Sequence, residues 1–307
     1  MKKLFLFLIL IVVTWSFTAS TKTRCSKFGI YFLDDIFGLD GVGKRCYNRK
    51  IQFKPNKQYK NSALKTNYFS DTRFKIKKDC PSDSPLILII GQSNAANTGL
   101  SNITENKNNL NYNPEDGFCY ELSEPVLGAS DSAASITSSI GKKILLNKPI
   151  IFLNKSVGGS SIQNWIEFYS LDLNRTLNKI TQKNNLKIII WVQGESESME
   201  TSKNYFKNFE VLKNLIFKDL KVKFQDVNVI ITKSTYCGSY AETYIAKKDE
   251  IDFQRQMIQK KYKNVKLLEI TDNLDDTHRI DACHFNAKGI DKISTELASH
   301  INLILKN

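Results

Sequence analysis

The sequence predicts a three-layer α/β/α sandwich around a five-stranded parallel sheet, on the strength of two patterns. Beyond Pro81, short apolar runs alternate with longer stretches of helical period, the signature of successive βαβ units. The runs are almost continuously apolar, as a strand buried on both faces requires. They are LILII at 86–90, IIFLN at 150–154, KIIIWV at 187–192, VNVIIT at 227–232 and VKLLEI at 265–270. Helices are expected over 131–146, 171–184, 203–220, 241–262 and 287–305, with Asn286 capping the last.

Three parts precede or compose this pattern. Residues 1–20, MKKLFLFLILIVVTWSFTAS, read as a signal peptide: two lysines, an apolar run and a small-residue end. An uncleaved N-terminal anchor is the alternative, although the run falls short of the ~20 residues a bilayer span needs. Either way the body is exported: secreted, periplasmic or at the cell surface. No later run reaches spanning length, so no stable membrane insertion is expected after cleavage. Residues 21–80 form a polar, basic, cysteine-containing extension without sustained period, read as packed on the main domain at 81–307.

Six cysteines follow the leader, and an even number in an exported chain favours disulfides, of which sequence alone does not choose the pairing. Without a CxxC pair or a His–Cys cluster, no structural zinc and no cofactor are expected. Cys283 is either bridged, with Cys237 as one candidate partner, or a buried thiol. The net charge of +13 suits acidic glycans or anionic surfaces, or reflects solvated lysine-rich faces. Nucleic acid is not indicated, because no recognition module accompanies the charge.

Ligands of open parallel sheets bind beyond the carboxyl ends of the strands. Those ends carry Gly91-Gln92-Ser93-Asn94-Ala95, Val157-Gly158-Gly159-Ser160-Ser161, Gln193-Gly194-Glu195-Ser196 and Asp281-Ala282-Cys283-His284. Together they supply what acyl transfer needs: a hydroxyl, a base, a carboxylate to orient the base, and donors for an oxyanion. Ser93 follows the first strand in a tight turn and is the candidate nucleophile. Of the three histidines, His300 falls in the last helix and His278 lies outside the loop, whereas His284 has Asp281 three residues before it. Ser93 N–H, Gly159 N–H and the Gln193 amide are the candidate oxyanion donors. Gln92, Asn94 and Glu195 are structural or substrate-contact candidates, and Glu195 is read as structural. The turn lacks the G-x-S-x-G pattern, which disfavours the α/β-hydrolase nucleophile elbow.

At these residues the chain resembles the SGNH hydrolase superfamily, and within it the sialate O-acetylesterase-like group that includes carbohydrate esterase family 6. GQSNA at 91–95, GGSSIQNW at 158–165, WVQGESES at 191–198 and DACHFNAKG at 281–289 are similar to its four blocks, in order. The resemblance implies the flavodoxin-like SGNH fold and removal of acetyl groups from sugar hydroxyls. It implies Ser93, Asp281 and His284 as the triad, with Ser93, Gly159 and Gln193 at the oxyanion hole, Gln193 standing where the wider superfamily has asparagine. Two departures stand out: Ser196 or Glu197 where relatives often carry aspartate after GES, and residues 21–80, which match nothing recognised. The implied partner is an acetylated glycan, whether sialic acid, xylan, peptidoglycan or a capsule. Two alternatives use the same scaffold: a glycan O-acetyltransferase and a non-catalytic glycan-binding protein.

Overall fold

A computed structural model of the chain describes residues 68–100, 105–180, 185–233, 237 and 242–306. Residues 1–67, which hold the expected signal peptide and most of the expected extension with Cys25 and Cys46, lie outside the described residues. Eight strands form in chain order: β1 (Lys77–Lys78), β2 (Pro85–Gly91), β3 (Glu105–Tyr112), β4 (Cys119–Ser123), β5 (Ile151–Asn154), β6 (Asn185–Val192), β7 (Asn228–Thr232) and β8 (Val265–Leu268). They make one sheet in the order β1-β4-β3-β5-β2-β6-β7-β8. From β3 to β8 neighbouring strands are parallel, while β4 and β1 run antiparallel at one edge.

The five expected strands are all present as β2 and β5 to β8, but the sheet has eight strands, not five. Three strands escaped notice, β1, β3 and β4; of these β3 reads ENKNNLNY, too polar to be taken for a buried strand. Two of its asparagines, Asn109 and Asn111, are nevertheless buried and bonded. Asn109 Oδ1 accepts from Ile150 N at 2.9 Å and its Nδ2 donates to Gly141 O at 2.9 Å. Asn111 Oδ1 accepts from Leu127 N at 2.6 Å. A buried amide with its bonds made avoids the desolvation penalty that polarity in a core otherwise carries.

The helices of eight or more residues among the described residues are α1 (Ile136–Lys143), α2 (Ser170–Ile180), α3 (Tyr205–Phe217), α4 (Glu242–Lys261) and α5 (Ala287–Lys306), one for each stretch of helical period. Asn286 caps α5 as expected, its Oδ1 accepting from Lys288 N at 3.0 Å and Gly289 N at 3.2 Å. Alternate residues of β2 face opposite layers. Leu86, Leu88 and Ile90 pack with Leu173, Tyr205, Phe209 and Ile251 of α2, α3 and α4. Ile87 and Ile89 pack with Ile140, Ile293 and Leu297 of α1 and α5. Burying a side chain of this size stabilises by about 1.5–3 kcal/mol, which is why the central strand is apolar throughout. No helix among the described residues is long and apolar enough to cross a membrane.

Residues 68–80, placed with the extension on sequence, are stitched to the body. Phe69 N bonds Ala129 O at 2.7 Å, Lys75 Nζ donates to Ser123 O and Pro125 O at 2.7 and 2.6 Å, and Cys80 is bridged to Cys119.

The end of β2 is shaped by Gly91, whose φ is +144°. A Cβ there would collide with the carbonyl of Val192 on β6, so only glycine allows the two strand ends to approach as they do. Gly91→Ala is expected to lower the unfolding free energy by about 3 kcal/mol, read as a shift of the urea midpoint at unchanged slope. An unchanged midpoint would show that the strand ends part without penalty.

Candidate active site

Four segments meet above the carboxyl ends of the strands. Beyond Gly91 the chain turns through Gln92 into a 3-10 turn at Ser93–Ala95, which leaves Ser93 only 7% exposed. The turn is braced from below by Asn154 Nδ2, which donates to Ala95 O at 2.8 Å, and from the side by Thr98 Oγ1, which donates to Ser93 O at 2.5 Å.

The second segment docks on the same glycine. Val157 N donates to Gly91 O at 3.0 Å and Ser160 Oγ donates to it at 3.2 Å. Gly159 takes φ +67°, the left-handed region that favours glycine, with open space where a side chain would stand. Its neighbour Gly158 N donates at 2.8 Å to Ser130 Oγ, which in turn donates at 2.8 Å to Asp131 Oδ2. Ser130 and Asp131 carry no motif and were invisible in the sequence as supports of this loop.

The third segment is bolted to the first by Gln92, whose Oε1 accepts from Gly194 N and Ser196 N, each at 3.1 Å. Gln193 lies between the second and third segments. It is 1% exposed, and its Nε2 donates to Glu197 Oε1 at 2.5 Å and to Ser160 O at 3.2 Å, so both amide hydrogens are engaged. In this arrangement its side chain ties the second and third segments together. Glu197 Oε1 also accepts from Ile162 N at 2.6 Å, joining the second and third segments. Glu195 is buried, accepting from Asn94 Nδ2 at 3.5 Å with its carboxylate and from Lys247 Nζ at 2.9 Å with its backbone carbonyl.

In the fourth segment Asp281 Oδ2 holds His284 Nδ1 at 2.8 Å, while its Oδ1 accepts from His284 N at 2.8 Å and Cys283 N at 3.2 Å. Burial pushes the Asp281 carboxyl up, but the His284 N–H, the imidazole and the Cys283 N–H outweigh it and hold the group below its ordinary value. Arg279 braces the loop, donating to Cys283 O at 2.8 Å and Leu274 O at 2.9 Å, and a disulfide joins Cys283 to Cys237 beyond β7. This segment reaches the Ser93 turn through Asn94 Nδ2, 3.4 Å from Cys283 O, and through Leu100 N, 3.2 Å from Phe285 O. No hydrogen bond joins the Ser93 hydroxyl directly to His284. His278 is held separately by Asp275, at 2.7 Å. Among the described residues, no three His, Cys, Asp or Glu side chains gather as metal ligands.

A mostly parallel sheet between two helical layers, with this cluster at its strand ends, is the α/β architecture of a hydrolase. A family profile described as carbohydrate esterase, sialic acid-specific acetylesterase, matches residues 83–302. The chain belongs to that family and is a carboxylic ester hydrolase. Among solved structures, a protein from Arabidopsis thaliana is similar in fold at 17% identity and TM-score 0.57, covering 74% of this chain and 99% of that one. A family 3 carbohydrate esterase from Clostridium thermocellum aligns at 12% identity and TM-score 0.48, covering 73% and 98% of the two chains. A carbohydrate acetylesterase from Sinorhizobium meliloti aligns at 10% identity and TM-score 0.47, covering 72% and 99%. A search of curated proteins gave no match.

Because Asp281 titrates lower in the folded chain, its bonds contribute stability that is complete above the ordinary value of 3.8 and is lost as pH falls through the lower folded value. The difference in denaturation midpoint between wild type and Asp281→Asn is therefore expected to be constant from about pH 5 to 7 and to shrink below about pH 4. A difference that grows on acidification would contradict the assignment.

Proposed function

We propose that the protein is an exported O-acetylesterase that cleaves acetyl groups from a glycan through a Ser93–His284–Asp281 acyl-enzyme. The observation that carries this is the Asp281–His284 pair, bonded at 2.8 Å and docked through Asn94 on the turn that bears Ser93. A serine hydroxyl is a weak nucleophile until a base takes its proton, and an imidazole whose Nδ1 is held by a carboxylate keeps Nε2 free for that task.

In this mechanism Ser93 Oγ attacks the acetyl carbonyl as His284 Nε2 accepts its proton, and Asp281 stabilises the imidazolium. The oxyanion develops against the backbone N–H groups of Ser93 and Gly159, the latter supported by the open space at its α-carbon. A donor of this kind is worth roughly 3–4 kcal/mol in the transition state. His284 then protonates the departing sugar oxygen. Water, deprotonated by the same imidazole, attacks the acyl-enzyme, releasing acetate and restoring Ser93. Gln193 serves as a loop clamp, and the oxyanion site rests on the two backbone donors. The signal-like residues 1–20 and the bridges at Cys80–Cys119 and Cys237–Cys283 support export to an oxidising compartment.

Acetate release from p-nitrophenyl acetate and acetylated sugars by the mature chain checks the reading. Ser93→Ala and His284→Ala are expected to lose at least about 10³-fold in kcat with unchanged circular dichroism. Full activity in Ser93→Ala sinks the mechanism. Acetyl transfer to an added sugar exceeding hydrolysis would indicate a transferase, and glycan binding by an inactive wild type would indicate a lectin-like protein.

A further inference from the structure

Arg255 is fully buried on α4, where a cation is costly unless its hydrogens are engaged. It pairs with Asp252 at 3.0 Å, one turn back, and its Nη2 donates to the backbone carbonyl of Gln193 and, at 3.4 Å, to the Tyr205 hydroxyl. Tyr205 in turn accepts from Trp191 Nε1 at 2.7 Å and donates to Gln193 Oε1 at 2.8 Å. None of Arg255, Tyr205 and Asp252 lies in the four sequence blocks, yet Arg255 and Tyr205 both bond Gln193, and Asp252 pairs with Arg255.

The consequence lies in one peptide plane. The Gln193–Gly194 bond is trans, so its C=O and N–H point in opposite directions from a rigid unit. The C=O is held by Arg255; the N–H donates at 3.1 Å to Oε1 of Gln92, the residue before Ser93. Rotating this plane would break both bonds together, so the guanidinium on one side fixes the donor that Gln92 meets on the other. Lys247, earlier on the same helix, holds the Glu195 carbonyl at 2.9 Å and secures the next part of the loop.

We propose that Arg255 is a positioning residue for the nucleophile, setting the Ser93 turn through the Gln193–Gly194 peptide and Gln92. The proposal rests on the reading of Ser93 as nucleophile. It predicts that loss of the guanidinium slows acylation without weakening substrate binding, because Ser93 is misplaced while the substrate-facing surface stays intact.

The test is burst kinetics with p-nitrophenyl acetate on Asp252→Asn/Arg255→Met, which removes both buried charges together, alongside Ser93→Ala. The acylation rate per active site is expected to fall about 10–100-fold, with the substrate dissociation constant read from the concentration dependence of the acylation rate within about twofold of wild type and cooperative unfolding retained. Wild-type acylation in the folded double variant overturns the proposal. So does a reduced burst amplitude with an unchanged rate per site, the mark of a purely structural role. If the double variant does not fold, Arg255→Lys keeps the charge but lacks the planar fork; a slowed acylation supports the proposal and a wild-type rate overturns it. Activity in Ser93→Ala removes the underlying reading and this proposal with it. An inactive Ser93→Ala beside a fully active Arg255 variant removes this proposal alone.

Discussion

The close approach of Gly91 to the Val192 carbonyl governs everything above the sheet. Because residue 91 has no side chain, β2 and β6 stay together to their last residues, and Gln92 N can continue the ladder by donating to Val192 O at 2.9 Å. The carbonyl of Gly91 then receives Val157 N and Ser160 Oγ from the second segment. One residue thus orients three of the four segments. A larger residue here would part the strand ends and unseat the Ser93 turn, the glycine loop and the third loop together, since each is hydrogen-bonded to the others and not only to its own strand.

The parts of the fold that sequence discloses are those where burial alone selects the residues. The strands β2 and β5 to β8 are apolar because both faces are covered, and the helices repeat their apolar positions because one face is. β3 was hidden because its stability comes from asparagine side chains bonded to backbone groups of β5, the β4–α1 connection and α1, a pattern set by three-dimensional partners that no local period records. The edge strand β1 was hidden because two exposed lysines carry no pattern at all.

At the site, the residues that sit in strand-end turns were legible, because glycines, a serine and an Asp-x-x-His pair have few other reasons to follow buried strands in this order. Their supports were not. Ser130, Tyr205 and Arg255 act through hydrogen bonds to loops far away in the chain, Asp131 acts only through its neighbour Ser130, and an arginine inside a helix of mixed character looks like any solvated cation until its burial is known. Gln193 shows a related limit: its amide bonds to Glu197 and Ser160 depend on loops brought together only in the fold. Glu197 also accounts for part of the family departure after GES, since its longer carboxylate spans from Gln193 to Ile162 N.

The bridge between Cys237 and Cys283 has a chemical consequence apart from bracing. A free thiol beside the imidazole would be drawn toward its thiolate by any proton acceptor or cation nearby, and would then compete as a nucleophile, capture soft metal ions or climb the ladder of sulfur oxidation. With its sulfur already joined to Cys237, the loop carrying His284 offers none of these reactions. Peroxide or heavy metals in the surroundings meet no thiol at position 283 through which to poison the loop that carries the histidine.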